Sequence, residues 1–346
     1  MATLTPTPLD ELLVTVVVDN ETDNLSSTDP GIPRLPEVAS LLGRIPPARQ
    51  HEGHDAIPVL GHLCVACHGL SVLLTGRVGD ERHTVLFDVG PYGDVWIDNA
   101  ERLGLDIATI ETVFLSHWHW DHSGALPVVV AAIAAARRTA GLDAPVVVDL
   151  HPDRPDQRGT QLPSGTVVLL PPEPTLAALT DAGGDVTLQA DAHLLGGGFF
   201  LGSGEIPRVT GYETGLEGHV TFTGESSRAD PLILDERFLA ADVRGRGTTV
   251  LSACSHAGVV NVGLAARASW PDRPIDLLLG GFHLAGAAME GRIAATVDDL
   301  DARVSPRILA PGHCTGWRAK AALADRFAPD RYAPSFVGST FVLTGE

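Results

Sequence analysis

The segment 117–122 has the sequence HWHWDH and places three imidazoles and one carboxylate within six residues. In an extended backbone His117 and His119 project to the same side, so their rings can bind one metal ion. A turn after them brings Asp121 and His122 towards a second position. Without a metal, so many polar groups beside two tryptophans would be poorly satisfied. The segment therefore predicts a metal-binding site.

Three further histidines follow apolar runs that we predict to be strands. His256 follows the run 249–251, His283 follows the run 275–279, and His313 follows the run 307–309. The run 112–115 precedes the HWHWDH segment in the same way. Because side chains at the carboxyl ends of neighbouring strands converge on one crevice, we expect all of these residues to share a site at a sheet edge.

Short apolar runs alternate with helical patterns from residue 68 onwards, which favours the α/β class. The other predicted strands are 71–74, 85–87, 146–150, 167–170 and 336–343, after a β-branched run at 12–18, and the predicted helices are 95–103, 126–140, 259–268, 293–300 and 317–327. We interpret residues 1–346 as a single domain with a loop-rich insertion at about 20–57. Gly- and Pro-rich segments at about 152–174 and 196–247 are expected to be long loops that contact the substrate.

The His-x-His-x-Asp-His pattern resembles the signature of the metallo-β-lactamase fold superfamily. That resemblance implies an αββα sandwich, in which two mixed β-sheets are covered by helices on both outer faces, and one or two Zn, Fe or Mn ions. Further segments resemble the branch labelled 7,8-dihydropterin-6-methyl-4-(β-D-ribofuranosyl)-aminobenzene-5'-phosphate synthase. They are HGLS at 68–71, FDVG at 87–90, GEIPR at 204–208, CSHAG at 254–258, GGFHL at 280–284 and PGHCTG at 311–316.

The resemblance also implies roles for individual residues. His117, His119 and His256 would form one metal site, and Asp121, His122 and His313 the other. No carboxylate stands at the expected bridging position near 254–256, so either His256 or the Cys254 thiolate would replace it. Asp88 resembles an aspartate that orients a ligand histidine. His283 is expected to line the pocket or to support a ligand.

A bound metal lowers the pKa of water towards neutrality, so that a metal-bound hydroxide can attack an electrophilic carbonyl or phosphorus. Asp121 is the predicted catalytic residue, because it would both ligate a metal and accept a hydrogen bond from the attacking group. His151, Glu205 and Arg208 lie in or near the predicted loops and are the expected substrate contacts, for a phosphate or carboxylate and a hydrogen-bonding ring.

Three functions are compatible with this pattern. The first is a metal-dependent hydrolase of a small anionic ester, lactone or phosphoester. The second is a transferase or synthase that couples a methylpterin to an aromatic, phosphate-bearing partner, as the branch label implies. The third is a protein that binds metal or ligand without catalysis. Zinc is the expected metal, with iron or manganese as alternatives.

The charge balance bears on the partners. The 346 residues include 24 Lys plus Arg and 43 Asp plus Glu, for a formal net charge of −19, and Lys320 is the single lysine. A surface that tracks a phosphate backbone or anionic lipid needs clustered cations, so we expect a small-molecule substrate, no nucleic acid and no membrane. No secretory signal is evident near residue 1, which favours the cytoplasm, and a homo-oligomer is compatible with the sequence.

Overall fold

Alternation of buried and half-buried residues shapes the first strand of the protein. In the computed structural model, which describes residues 4–346 without the side chains of Arg49 and His51, the strand Glu11–Val18 buries Leu12, Val14 and Val16 on one face. Such a period of two is what a half-covered strand requires. The strand Thr340–Thr344 carries the same pattern and pairs with it on one side, and the strand Ser71–Val78, whose first four residues are all buried, pairs with it on the other.

The strands are, in chain order, β1 (Glu11–Val18), β2 (Arg34–Leu35), β3 (Arg49–His51), β4 (His54–Ala56), β5 (Ser71–Val78), β6 (Glu81–Phe87), β7 (Ile110–Phe114), β8 (Val146–Leu150), β9 (Gln157–Gln161), β10 (Val167–Leu169), β11 (Gly184–Leu188), β12 (His193–Leu195), β13 (Phe200–Gly202), β14 (His219–Thr223), β15 (Ser226–Ala229), β16 (Leu239–Val243), β17 (Gly247–Ser252), β18 (Ile275–Gly281), β19 (Ile308–Gly312) and β20 (Thr340–Thr344). The helices are α1 (Glu37–Leu42), α2 (Gly93–Leu103), α3 (Trp120–Ser123), α4 (Leu126–Thr139), α5 (Leu176–Asp181), α6 (Val259–Ser269), α7 (Ala287–Glu290), α8 (Ile293–Asp299) and α9 (Trp317–Phe327), with 3₁₀ turns at Leu60–His62, Ile107–Thr109 and His313–Thr315 and a π turn at Leu300–Val304.

Two mixed sheets form the centre of the fold. The first has the strand order β11-β8-β7-β6-β5-β1-β20-β2, and the second has the order β12-β13-β16-β17-β18-β19. Parallel pairing joins β6, β7 and β8 in the first sheet and β17, β18 and β19 in the second. The strands that precede the HWHWDH segment and the later histidines therefore end in the same direction within each sheet, as the sequence predicts.

The hydrophobic core has three layers. Facing residues of the two sheets, such as Val14 and Phe87 on one side and Leu251 and Leu279 on the other, form the central layer. Helices α2 and α4 pack on the outer face of the first sheet, and α6, α8 and α9 pack on the outer face of the second. This is the expected αββα sandwich. None of the helices among the described residues is long and apolar enough to cross a membrane.

The segments predicted to be long loops contain regular structure. Residues 152–174 include β9 and β10, and residues 196–247 include β13 to β16, so the prediction of long loops is wrong for these stretches. A separate four-stranded sheet, with the order β10-β9-β14-β15, is built from both segments. Strand β10 falls in the predicted strand 167–170, whereas β9 has no apolar period and buries Arg158, which pairs with Asp235 at 2.6 Å. Residues 20–57 contain the short elements β2, α1, β3 and β4.

Candidate metal centre

The HWHWDH segment leaves the carboxyl end of β7 in extended form and then turns. His119 has an extended backbone (φ −128°, ψ 137°) and starts the short helix α3, which contains Asp121 and His122. The backbone N–H of His122 donates to the carbonyl of His119 at 2.8 Å. The turn therefore separates the four side chains into two groups, as their spacing predicts.

The first group consists of His117, His119 and His256, whose ligand atoms all lie within 4.8 Å of one another. Nε2 of His117 is 3.0 Å from Nδ1 of His119, and Nε2 of His256 is 3.2 Å from the same Nδ1 atom. All three rings are buried, and burial holds their pKa values well below the ordinary histidine value. The three rings are therefore neutral near pH 7.

The hydrogen bonds behind His117 fix which of its nitrogens carries the proton. Ser116 Oγ donates its single proton to Asp88 Oδ2 at 2.8 Å. In its contact with Nδ1 of His117, at 2.9 Å, Ser116 Oγ is therefore the acceptor and Nδ1 is the donor. The proton of the neutral ring is thus on Nδ1, and Nε2 faces the group as a bare lone pair.

A second chain of hydrogen bonds determines which nitrogen of His119 carries the proton. The carbonyl of Asp230 can only accept, so Nδ1 of His219 donates to it at 2.9 Å and leaves Nε2 of His219 without a proton. That Nε2 atom lies 2.9 Å from Nε2 of His119, which must then be the donor. Nδ1 of His119 is the bare nitrogen. His219 belongs to β14 and was not singled out by the sequence pattern.

Two bare nitrogens that face each other at 3.0 Å cannot form a hydrogen bond. A cation bound by both lone pairs satisfies them, and the ring of His256 supplies a third ligand nitrogen. The donor chemistry of this group therefore fits a transition metal such as zinc, which commonly takes three imidazoles and keeps an open position.

The second group consists of Asp121, His122, Cys254 and His313, again with all ligand atoms within 4.8 Å of one another. Nε2 of His122 lies 3.2 Å from Sγ of Cys254 and 3.5 Å from Oδ2 of Asp121, and Nε2 of His313 lies 3.3 Å from Oδ2. Burial opposes ionisation of Asp121, but the neighbouring imidazoles of His122, His313 and His68 hold its pKa well below the ordinary value. The group offers oxygen, nitrogen and sulfur donors to a second ion.

Asp88 connects the two groups. Its Oδ2 atom accepts from Nδ1 of His122 at 2.8 Å as well as from Ser116 Oγ, and its Oδ1 accepts from the Ser116 backbone. One buried carboxylate therefore directs Nε2 of His117 and Nε2 of His122 towards the centre. This placement agrees with the ligand-orienting role that the sequence resemblance implies.

Asn20 orients two histidines on the other side of the second group, as Asp88 orients His122. Gly69 donates its backbone N–H to Oδ1 of Asn20 at 3.1 Å, which fixes the orientation of the amide. The same oxygen accepts from Nδ1 of His313 at 2.9 Å, while Nδ2 donates to Nδ1 of His68 at 2.9 Å. Nε2 of His313 is therefore a bare ligand atom, whereas Nε2 of His68 is a donor 3.4 Å from Asp121.

The loop that carries His256 is held by a buried carboxylate. Glu236 accepts the backbone N–H groups of His256 and Ala257, both at 2.7 Å. Burial raises the pKa of Glu236 to about 7. Ser255, just before His256, has φ +59°, so this loop is held in a conformation that L-residues rarely adopt.

A cavity of about 640 Å³ opens onto both groups. Its polar wall includes His119, Asp121, Cys254, His256, His283 and His313, and its apolar wall includes Tyr92, Trp120, Leu170, Leu216 and Trp317. No Lys or Arg is among the described residues that line it. A volume of this size accommodates a small molecule.

The three predicted substrate contacts are not brought to this cavity. Glu205 is exposed, and Arg208 donates to the backbone carbonyl of Leu232. The ring of His151 accepts the N–H of Asp153 at 3.1 Å, and its backbone carbonyl accepts from Trp118. None of the three is among the residues that line the cavity, and their contact with a substrate stays a prediction.

The sequence reasoning missed five residues at the centre, which are Asn20, His68, His219, Glu236 and Cys314. His68 and Cys314 stand in segments that the resemblance quotes, so those segments could have pointed to them. His219 and Glu236 lie in stretches taken for loops and carry no local signal. Their partners are distant along the chain: His219 is 100 positions from His119, and Glu236 is 20 from His256.

A family model described as the metallo-β-lactamase superfamily matches residues 64–269, which include strands of both sheets, the HWHWDH segment and His256. The chain belongs to the metallo-β-lactamase superfamily. The expected superfamily and fold are confirmed. Members of the superfamily are generally metal-dependent hydrolases, and the ligand groups of this chain fit metal ions.

Individual relatives agree with this membership. The chain is 25% identical over 276 residues to 7,8-dihydropterin-6-methyl-4-(β-D-ribofuranosyl)-aminobenzene-5'-phosphate synthase of Methanocaldococcus jannaschii, covering 76% of this chain and 86% of that enzyme. It is 33% identical over 108 residues to the lactamase-like protein vrtG of Penicillium aethiopicum, about 31% of each chain. The similarity to the dihydropterin synthase branch that the motifs indicate is thereby confirmed.

Solved structures show the same fold. A metal-dependent hydrolase of the β-lactamase superfamily superposes with a TM-score of 0.66 at 20% identity, over 96% of this chain and 99% of that one. The metallo-β-lactamase fold protein YhfI of Bacillus subtilis gives a TM-score of 0.50 at 13% identity, over 97% and 100% of the two chains.

Proposed function

We propose that this protein is a metal-dependent hydrolase of a small ester, lactone or phosphoester that carries a negative charge. The observation that supports it most is the pair of bare nitrogens, Nε2 of His117 and Nδ1 of His119, which face each other at 3.0 Å beside a second group of donors. Both groups open onto one cavity of small-molecule size. We also propose a cytoplasmic location.

Zinc is the metal we propose, with iron or manganese as alternatives, because the donors mix imidazole, carboxylate and thiol. Bound metal would supply a Lewis acid and a water molecule that ionises near neutral pH. His117, His119 and His256 would hold one ion. Asp121, His122 and His313 would hold the other, together with Cys254, which occupies the place of the missing bridging carboxylate.

The side chains around the metals would then position the attacking water and the substrate. Asp121 stays ionised, so its carboxylate can accept a hydrogen bond from the attacking water and hold that water in line. Nε2–H of His68, 3.4 Å from Asp121, keeps that carboxylate oriented. Trp120 and Tyr92, whose rings are 5.3 Å apart, cover the apolar side of the substrate. The absence of Lys and Arg among the described lining residues leaves the anionic group of the substrate to the metals.

A synthase is the second candidate. It is supported by the similarity to the M. jannaschii enzyme, which extends over 76% of this chain. The aromatic side chains in the cavity wall would suit a flat ring. A hydrolase turns over one substrate in water, whereas a synthase needs two organic substrates together. A binding protein would take up ligand without turnover.

The decisive experiment is a panel of esters, lactones and phosphoesters assayed one at a time with the zinc-, iron- or manganese-loaded protein. Turnover of one class by the wild type supports the hydrolase. We expect Asp121→Asn to abolish that turnover while the fold is kept, because it removes a charged ligand without a change in volume. Asp98→Asn makes the same change on an exposed residue of α2 and serves as the control.

Metal content gives an independent check. We expect the two ligand groups to retain two transition-metal ions after purification without chelators. Less than about half an equivalent per chain would contradict the proposal, since sites of this kind bind tightly near pH 7. Turnover that requires two organic substrates would replace the hydrolase by the synthase, and tight ligand binding without turnover would favour the binding protein.

A further inference from the structure

Cys254, His283 and Cys314 form a third cluster at the edge of the centre. One ligand atom from each lies within 4.8 Å of those of the other two. They follow three adjacent parallel strands, β17, β18 and β19. Cys254 also belongs to the second ligand group, but His283 and Cys314 have no part in the proposed hydrolysis.

The backbone around the cluster is shaped to bring these side chains together. A Cβ atom on Gly281 would lie 2.7 Å from Sγ of Cys314 and 2.4 Å from the carbonyl of Ala253, so only glycine fits there. His283 itself has φ +42°, a conformation that a histidine rarely adopts. Such backbone strain is found mostly at functional sites, because the surrounding structure must hold it in place.

The ring of His283 is incompletely satisfied by the protein. Its Nδ1 atom is buried without a hydrogen-bond partner among the described residues. Sγ of Cys314 donates to the carbonyl of Cys254 at 3.6 Å, and Sγ of Cys254 lies 3.2 Å from Nε2 of His122. The ring of His283 is 4.5 Å from the ring of His256, so it packs against one of the proposed ligands without bonding to it. A ligand in this cluster would supply the missing partners.

We propose that Cys254, His283 and Cys314 form a third metal site, selective for a thiophilic ion such as Zn²⁺, Cd²⁺ or Cu⁺. Two thiolates and one imidazole are soft donors that favour such ions over Mg²⁺, Ca²⁺ or Mn²⁺. Two thiolate charges also balance one dication. With all groups filled, Cys254 would be shared between the third site and the site of Asp121, His122 and His313. The inference therefore rests on the second ligand group of the proposed function, but its test counts bound metal and does not depend on turnover.

Cadmium titration of the reduced, metal-free protein tests this site. Thiolate-to-cadmium charge transfer is followed in the ultraviolet, and bound cadmium is counted by elemental analysis after desalting. We expect three ions per wild-type chain, one for each donor cluster. Cys314→Ser should bind one ion fewer and lose about half of the charge-transfer intensity, because one of two ligand thiolates is gone. His283→Ala should also bind one ion fewer.

Cys67→Ser is the matched control, since Cys67 lies outside all three donor clusters. It should leave both the band and the stoichiometry unchanged. Two ions in the wild type, with the same band in Cys314→Ser, would overturn the site. Should the variants fail to fold, reaction of the wild-type thiols with a maleimide decides: cadmium must protect Cys314, and equal labelling with and without cadmium rejects the proposal.

Discussion

Nε2 of His119 lies 2.9 Å from Nε2 of His219, although 100 positions separate the two residues. His219 is buried, and burial lowers its pKa to about 4, so its ring is neutral. Its Nε2 atom accepts a hydrogen bond from Nε2–H of His119. The small sheet of β9, β10, β14 and β15 therefore contributes directly to the metal centre. It makes Nδ1, not Nε2, the ligand atom of His119.

We expect His219→Ala to weaken binding of the first ion by about 10- to 100-fold, the usual cost of losing a residue that orients a ligand. His219→Gln should recover part of the affinity, because its carbonyl oxygen can still accept from His119. Competition with a chromophoric chelator measures the affinity. The control is His83→Ala, which removes a histidine of β6 that pairs with Glu111 of β7. Equal affinities in the wild type and His219→Ala would contradict the orienting role.

Asn20 gives a second prediction. Asn20→Leu removes all three hydrogen bonds of the amide, so His313 loses the acceptor for Nδ1 and binding of the second ion should fall by about tenfold or more. Asn20→Asp keeps an acceptor for His313 and should retain most of the affinity, while it loses the donor to His68. Zinc isotherms of the three proteins measure this. Weaker binding in Asn20→Asp than in Asn20→Leu would refute the assignment.

The sequence predicted the long, periodic elements well. Helix α9 and strand β8 match their predicted bounds, and α4 ends one residue earlier than predicted. Their apolar residues repeat with the period of a helix or strand, and burial of that face selects the structure. The convergence of His256, His283 and His313 also followed from sequence, since parallel strands end at one edge.

The residues that orient the ligands could not be predicted in the same way. The His68, Asn20 and His313 network joins segments 48 and 293 positions apart. Strands such as β13, with three residues, and β9, whose sequence is QRGTQ, have no apolar period that indicates a strand. They are stabilised by pairing and by buried ion pairs, which depend on tertiary structure.

Nucleic acid binding tests the proposed class of substrate. Two arginines are buried in ion pairs and cannot contact a polyanion, Arg158 with Asp235 and Arg237 with Asp149, and the formal net charge is −19. We expect no binding of single- or double-stranded DNA or RNA at physiological salt, and no metal-dependent cleavage. Fluorescence anisotropy with labelled oligonucleotides measures the first. Micromolar affinity for an oligonucleotide, with a steep dependence on salt, would contradict the small-molecule proposal and favour a nuclease.

Glu173 makes the stability of the protein depend on pH. Burial raises the pKa of this carboxyl from 4.5 to about 7, and Ser123 is its hydrogen-bond partner. Below pH 4.5 the folded and unfolded forms are both protonated, so the shift has no effect. Between 4.5 and about 7 the unfolded chain ionises first, and the folded state therefore loses stability as the pH rises.

Glu173→Gln removes this titration while its amide oxygen can still accept from Ser123. Relative to the wild type, the variant should gain on the order of 2 kcal/mol in the free energy of unfolding between pH 5 and pH 8. Urea unfolding at both pH values measures the gain, and metal-linked effects common to both proteins cancel in the difference. Glu225→Gln, in the exposed turn between β14 and β15, should follow the wild type. An unchanged difference between pH 5 and pH 8 would mean that Glu173 is already ionised in the folded protein.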